Sequence, residues 1–476
     1  MERSPRPEKL TIRRKPVLIG GALVLVLAVT AALLVLRDDP DPPSYREQAC
    51  ALPSGTLDLA ARSVSTERSG DIVLLPRDPV VLRNSEREST VGAGPDVQRI
   101  PLVFRGRGAI RPQEAATNAS LADIAPTIAV LLRGSFQAEG GRALGEVARF
   151  TSSALTRPPP RLVLTIVWDG IGAELLEATR GDWPQLERLT REGVSYPRAT
   201  VGSLFPARAT VASTIATGSF PAKHGVTGSL VRVDDGAVVE AFGRAGPAVS
   251  LLVPTLGERW LSAAGAGTKQ PKTGVLGTTP QDTTFSVNGG FMHTSDSNLD
   301  PTAVAHSQTD RVKGLVDRTG FGADAATDLL TVVYPGVELS ETEGRLEALT
   351  DNVRTDDDEL GRLTTWLDRR VGARRWVLVL TADRGRSVEE HPAIDERSVG
   401  AAIDEEFGSI TEAVSDGQVF LDRAALTSEV SVDAVARWLI GRTMEDLDAP
   451  ASGDVNASDP AFELAIPTAT LLEVKC

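Results

Sequence analysis

Two stretches of the chain leave few options for its fold. "RLVLTIVWDG" (161–170) and "RRWVLVLTADRG" (374–385) each carry an unbroken apolar run that ends on an aspartate. A strand with one wet face alternates apolar and polar residues, whereas a continuous run suits a parallel sheet covered on both faces. "TDLLTVVYPG" (327–336) has the same character. Helical patterns lie between these runs: "WPQLERLTREGV", ending at Gly193, "TDDDELGRLTTWLDRRV", and "ATVASTIATG" (209–218), a buried helix of small residues. Alternating strands and helices predict an α/β fold, a doubly wound, mostly parallel sheet flanked by helices.

Shorter signals fill in the rest. "DIVLLP" (71–76) and "IPLVF" (100–104) read as strands bounded by turn residues, and "SLADIAPTIAVLLRG" (120–134) as a capped helix. "TRPPPR" (156–161) is a stiff connector, and "QVFLD" with "SVDAVARWLIG" is a small strand–helix unit. Residues 262–326, rich in Gly, Thr, Ser and Asp, read as an irregular excursion over one face.

The N-terminus sets the compartment. Val17 to Leu36 contains no charge, and roughly 20 apolar residues cross a ~30 Å hydrocarbon core. Arg13, Arg14 and Lys15 precede the run, and Asp38 and Asp39 follow it. Positive charge stays inside. The expected layout is a cytoplasmic basic tail (1–16), a transmembrane helix (17–36), a proline-rich linker (37–69) and an extracytoplasmic domain (70–476). The chain is then a single-pass protein of the cell membrane. A cleaved signal peptide is the alternative, but its apolar region is normally shorter. A formal net charge of -14 excludes a nucleic-acid partner, which needs a basic surface. The two cysteines, Cys50 and Cys476, form either a disulfide in an oxidising compartment or a pair of surface thiols.

Acids at strand ends are the candidates for chemistry, because open α/β sheets gather reactive groups at the carboxyl edge. Asp169, Asp383 and Glu338 hold such places. Converging carboxylates and imidazoles bind divalent metals, while the same residues also serve as strand-end caps or, for Glu338, as a solvated loop acid. Trp168 is expected in the core. The Asp356–Asp358 run reads as a solvated helix start, where negative charge suits the dipole.

In this order, "VWDGIGAELLEA", "WPQLERLTREGVSYPRAT", "FPARATVASTIATGSFPAKHGVTGS", "DDDELGRLTTWL" and "LTADRG" resemble the alkaline phosphatase superfamily. The branch they resemble is the type I phosphodiesterase/nucleotide pyrophosphatase group, with Thr217 to Val226 as the most specific block. The resemblance implies a zinc-like pair of divalent metals. It places metal ligands at Asp169 and Asp383, and an aspartate–histidine pair at Glu338 and Thr342. Imidazoles are missing: Arg384 stands for the histidine after Asp383, and Thr342 for the other. His224 matches a structural position, so only His293, His306 and His391 remain as substitutes, and His391 also reads as a surface residue. The nucleophile region falls on Ser203, Arg208 and Thr210. Arg384 is expected to pair with Asp169 and Asp383 in place of metal. "RIPLVFRGRGAI" and "SLADIAPTIAVLLRG" resemble segments that follow the Asp-His-Gly motif in the family, yet precede Asp169 here. That order implies a circular permutation in which 70–150 completes the same sheet and Cys50–Cys476 staples the ends. A separate small N-terminal domain is the alternative. The functional expectation is a catalytically degenerate binding or scaffolding protein of the cell envelope, with an envelope protein or a phosphorylated or sulfated ligand as partner. The alternative is an active metal-dependent phosphodiesterase or phosphatase with a remodelled site.

Overall fold

The computed structural model describes residues 42–84, 87–88, 91–147, 158–242, 249–264, 269–279, 291–294, 301–336, 345–450 and 452–476. The apolar run 17–36 lies outside them. Among the described residues no helix is long and apolar enough to cross a membrane. From Ser44 to Cys476 the chain forms one compact unit.

Eight strands build the central sheet, in the spatial order Phe291–Thr294, Thr273–Gly277, Asp328–Tyr334, Leu162–Trp168, Trp376–Ala382, Leu102–Arg105, Val194–Ser195 and Gln113–Glu114. The first five run parallel. Every residue of Leu162–Trp168 and of Trp376–Ala382 is buried, which is why both runs are apolar throughout. The register sets Trp168 beside both Tyr334 and Ala382. Three strands therefore end level, and the residues that follow two of them, Asp169 and Asp383, emerge side by side.

The "IPLVF" run pairs antiparallel with Trp376–Ala382, Val103 opposite Leu380. The helix Ile124–Leu131 buries its side chains in the same core as the central strands. Among the described residues, those before and after 148–157 belong to the same compact unit. "DIVLLP" goes elsewhere: Ile72–Pro76 joins a second, antiparallel sheet with Thr411–Ser415, Gln418–Leu421 and Phe462–Pro467. Only part of 70–150 thus completes the central sheet.

Three further expectations are corrected. The stretch read as linker contains the helices Tyr45–Ala51 and Thr56–Ser63. Ser44 and Glu47 cap the first reciprocally, and Gln48 accepts the Ala465 amide of the second sheet at 3.1 Å. The 262–326 excursion contains two strands of the central sheet and the helix Pro301–Thr319. The Asp356–Asp358 run sits in the middle of the helix Arg345–Leu367, with Asp356 and Asp357 buried. Asp357 accepts the Gln185 and Leu186 amides at 2.8 and 2.7 Å, capping the helix Pro184–Glu192 from outside its own sequence. Its tertiary role overrides the local charge pattern.

Cys50 and Cys476 are joined as a disulfide, with Cα atoms 5.5 Å apart.

Candidate functional site

The level strand ends place Asp169 and Asp383 at the carboxyl edge of the sheet, both buried. Asp383 accepts the Gly170 amide at 2.8 Å, so one strand end is tied to the next. Arg384 spans the pair: Nη1 donates to Asp383 at 2.5 Å and Nη2 lies 3.2 Å from Asp169 Oδ1. The other Asp169 oxygen accepts from Arg208 Nη2. Arg208 is the first residue of the helix Arg208–Thr217, and its Nη1 donates to Thr278 at 3.1 Å. Arg386 lies over Gly170, where an added Cβ would meet its Nε at 3.2 Å. The backbone at Gly336 packs closely against Asp169: a Cβ there would come within 2.7 Å of the Asp169 carbonyl oxygen and 2.9 Å of its Cγ.

Charge follows from this arrangement. Burial pushes the Asp169 carboxyl up, but Arg208, Arg384 and Arg386 outweigh burial and hold it well below the usual range. For Asp383 burial wins, aided by Asp169, and its carboxyl rises to about 6 despite Arg384. Asp356 is driven well up by burial and by Asp169, Glu359 and Asp357, and neither of its oxygens has a hydrogen-bond partner.

The structure brings together Asp169, Asp383, Arg384 and Arg208. Arg208, in the region expected to hold the nucleophile, is a charge partner of Asp169. Ser203 and Thr210 are buried, and the Thr210 hydroxyl has no hydrogen-bond partner. Glu338 and Thr342 lie outside the described residues, as does the side chain of His293. His224 is buried, its Nδ1 accepting the Val226 amide and its Nε2 3.0 Å from the Thr214 hydroxyl. His306 pairs with Glu359 at 2.9 Å on the surface, and His391 with the Ser387 hydroxyl at 3.0 Å. Trp168 packs in the core. Sequence reasoning missed Thr278, Arg386 and Gly336. The first follows a strand, "TGVLG", that had been read as part of an irregular region. The second repeats the arginine of "DRGR" two residues on.

Of the positions that the resemblance assigns to metal, Asp169 and Asp383 lie among the described residues, and Glu338 and Thr342 lie outside them. Both aspartates already have guanidinium partners at contact distance. Among the described residues no group of three or more His, Cys, Asp or Glu side chains could hold a metal ion. What the arrangement offers is a set of three guanidiniums around two carboxylates, at the start of a helix whose first residues have no side-chain cap.

The family model for type I phosphodiesterase / nucleotide pyrophosphatase matches residues 163–405. Among solved structures, the PafA alkaline phosphatase is similar at 15% identity, over 63% of this chain and 82% of that one, with a TM-score of 0.43. Phosphonoacetate hydrolase from Sinorhizobium meliloti 1021 is similar at 15% identity, over 53% of this chain and 63% of that one, with a TM-score of 0.33. No curated protein matches the chain.

Proposed function

The chain belongs to the type I phosphodiesterase/nucleotide pyrophosphatase family, and we propose that within it this protein is catalytically degenerate and binds rather than hydrolyses. In this reading residues 17–36 anchor it in the cell membrane, the domain faces outward, and the acid–arginine site holds a phosphate- or sulfate-bearing ligand of the cell envelope.

One observation carries the proposal: Arg384 bridges Asp169 and Asp383. Metal-assisted ester hydrolysis uses a bound cation to activate the nucleophile and to neutralise charge on phosphorus. A guanidinium supplies charge but no coordination sites. Its planar fork of donors does suit a tetrahedral oxyanion, and the start of the helix Arg208–Thr217 favours negative charge as well. Calorimetry of the full-length, detergent-solubilised protein with inorganic phosphate and sulfate tests this reading. Binding that weakens at least about tenfold in Arg384→Ala, the loss of one charge-assisted contact, is the expected result. Stoichiometric zinc or manganese in the purified protein, with turnover of an aryl phosphodiester, would establish the active alternative instead.

The order of segments is part of the same proposal: residues 70–150 are a permuted C-terminal portion of the fold. The pairing of Leu102–Arg105 with Trp376–Ala382 supports it, as does the disulfide that joins Cys50, near the start of the folded unit, to Cys476. A chain re-cut at residue 157, with its old ends linked, should fold and melt like the parent. Failure to fold would remove this part of the reading.

A further inference from the structure

The helix Pro301–Thr319 buries Ala305, Gln308, Thr309, Val312 and Val316, the spacing of a core-facing stripe. Two polar residues in the middle of that stripe are costly to bury and need partners. Thr309 has one, since its hydroxyl lies 2.7 Å from that of Tyr334. Gln308 is fully buried. Its Nε2 donates to three backbone carbonyls, those of Leu276 and Gly277 at 3.3 Å each and that of Val333 at 3.1 Å. Its Oε1 is buried with no hydrogen-bond partner. Three acceptors around one nitrogen fix which way the amide faces.

Those carbonyls belong to two strands at the edge where Asp169 emerges. The ladder between Thr273–Gly277 and Asp328–Tyr334 stops at Leu276 opposite Val332. One residue further on, the Gln308 amide holds Gly277 and Val333 together instead. Each strand then leads to Asp169. Gly277 is followed by Thr278, which accepts Arg208 Nη1 at 3.1 Å, and the same guanidinium donates through Nη2 to Asp169. Val333 is followed by Tyr334, whose carbonyl accepts the Asp169 amide at 3.3 Å, and then by Gly336, packed closely on Asp169.

We propose that Gln308 is a positioning residue for the acid–arginine site: it ties the strand end that carries Thr278 to the strand end that holds the Asp169 backbone, and so sets where Arg208 meets Asp169. It acts through Thr278. An apolar side chain would fill the stripe at lower cost, but would leave the two strand ends free to part beyond their last ladder bond. Its effect on ligand affinity rests on the anion-binding reading above, whereas its hold on Arg208 does not.

NMR of the full-length protein with labelled arginine tests this, read as the rate at which the Arg208 guanidinium protons exchange with water; Arg208→Lys assigns the signal. Gln308→Met keeps the reach of the side chain and removes its donors. It should speed exchange by about fivefold, a typical coupling between linked residues. Thr278→Val should do the same, and the double variant should exchange no faster than Thr278→Val alone, because both changes cut one chain of contacts. Unchanged exchange in Gln308→Met, or effects that multiply to about 25-fold, overturns the proposal. Calorimetry with inorganic phosphate separates it from the anion-binding reading. Phosphate affinity should fall by about fivefold in Gln308→Met. A wild type that binds no phosphate, with exchange accelerated as stated, removes that reading and supports the positioning role. Phosphate bound equally by wild type and Gln308→Met overturns the positioning role. Should Gln308→Met fail to fold, Gln308→Asn, whose amide sits one carbon nearer the helix, carries the same expected and overturning results.

Discussion

Replacing Arg384 by alanine isolates the interaction on which the site depends. The change removes the 2.5 Å contact to Asp383 and the 3.2 Å contact to Asp169. Asp169 keeps Arg208, so its charge stays paired. Asp383 keeps the Gly170 amide and loses its direct cation. Breaking a buried ion pair from one side typically costs ~3–5 kcal/mol. Asp383 can evade part of that by taking up a proton. With its carboxyl already at about 6, protonation at pH 7 costs only about 1.4 kcal/mol, one pH unit's worth. The loss therefore depends on pH: about 3 kcal/mol at pH 8, where the proton is expensive, and about 1 kcal/mol at pH 5, where the acid is already neutral. Urea melts of wild type and Arg384→Ala at the two pH values measure the difference. Adding Asp383→Asn to the variant should recover most of the loss at pH 8. If Arg384→Ala melts like wild type at both pH values, the arginine carries no charge for the aspartates, and they are free to hold a metal.

Three further outcomes are expected. Burial pushes His224 down to about 3, so its stabilising effect is present above the ordinary histidine range and lost as pH falls towards 3; wild type should weaken by about 4 kcal/mol over that interval, and an acid limb unchanged in His224→Gln would refute the assignment. Gly336→Ala should destabilise by about 1–3 kcal/mol through its clash with Asp169, whereas Gly257→Ala, whose Cβ would meet nothing closer than 3.7 Å, should not; equal melting of the two would contradict the close approach. Cys50→Ser should cost ~5 kcal/mol, the upper end of what a disulfide closing a very long loop contributes, and thermal melts matching the disulfide-bonded parent would contradict it.

The sequence revealed what its local pattern encodes. Leu162–Trp168 and Trp376–Ala382 are buried on both faces, so their apolar runs and terminal aspartates could be read directly. The second sheet was hidden because its strands are short and its central pairing, Ile72–Pro76 with Phe462–Pro467, joins opposite ends of the chain. Its local signals, the runs "DIVLLP" and "QVFLD" and the Asp-Gly dipeptide at 416–417, mark strands and a turn but not their pairing. The pairing of Arg384 followed from its place after Asp383. Arg208 and Thr278 did not, because their meeting at Asp169 needs three separate elements to converge. Asp357 misled for a related reason: a helix-capping carboxylate carried on another helix leaves no trace in the sequence beside it.

The Cys50–Cys476 bond turns all but the first residues of the chain into a covalent ring. A single cut by a protease in any exposed loop of that ring opens it without releasing a fragment. Both sides of the nick stay attached to the same N-terminal segment, and the damaged molecule runs as one species on a denaturing gel until a thiol is added. Two cuts are needed to shed a piece. In a compartment rich in secreted proteases, that redundancy keeps a once-cleaved molecule together long enough for its folded sheets to hold the break closed.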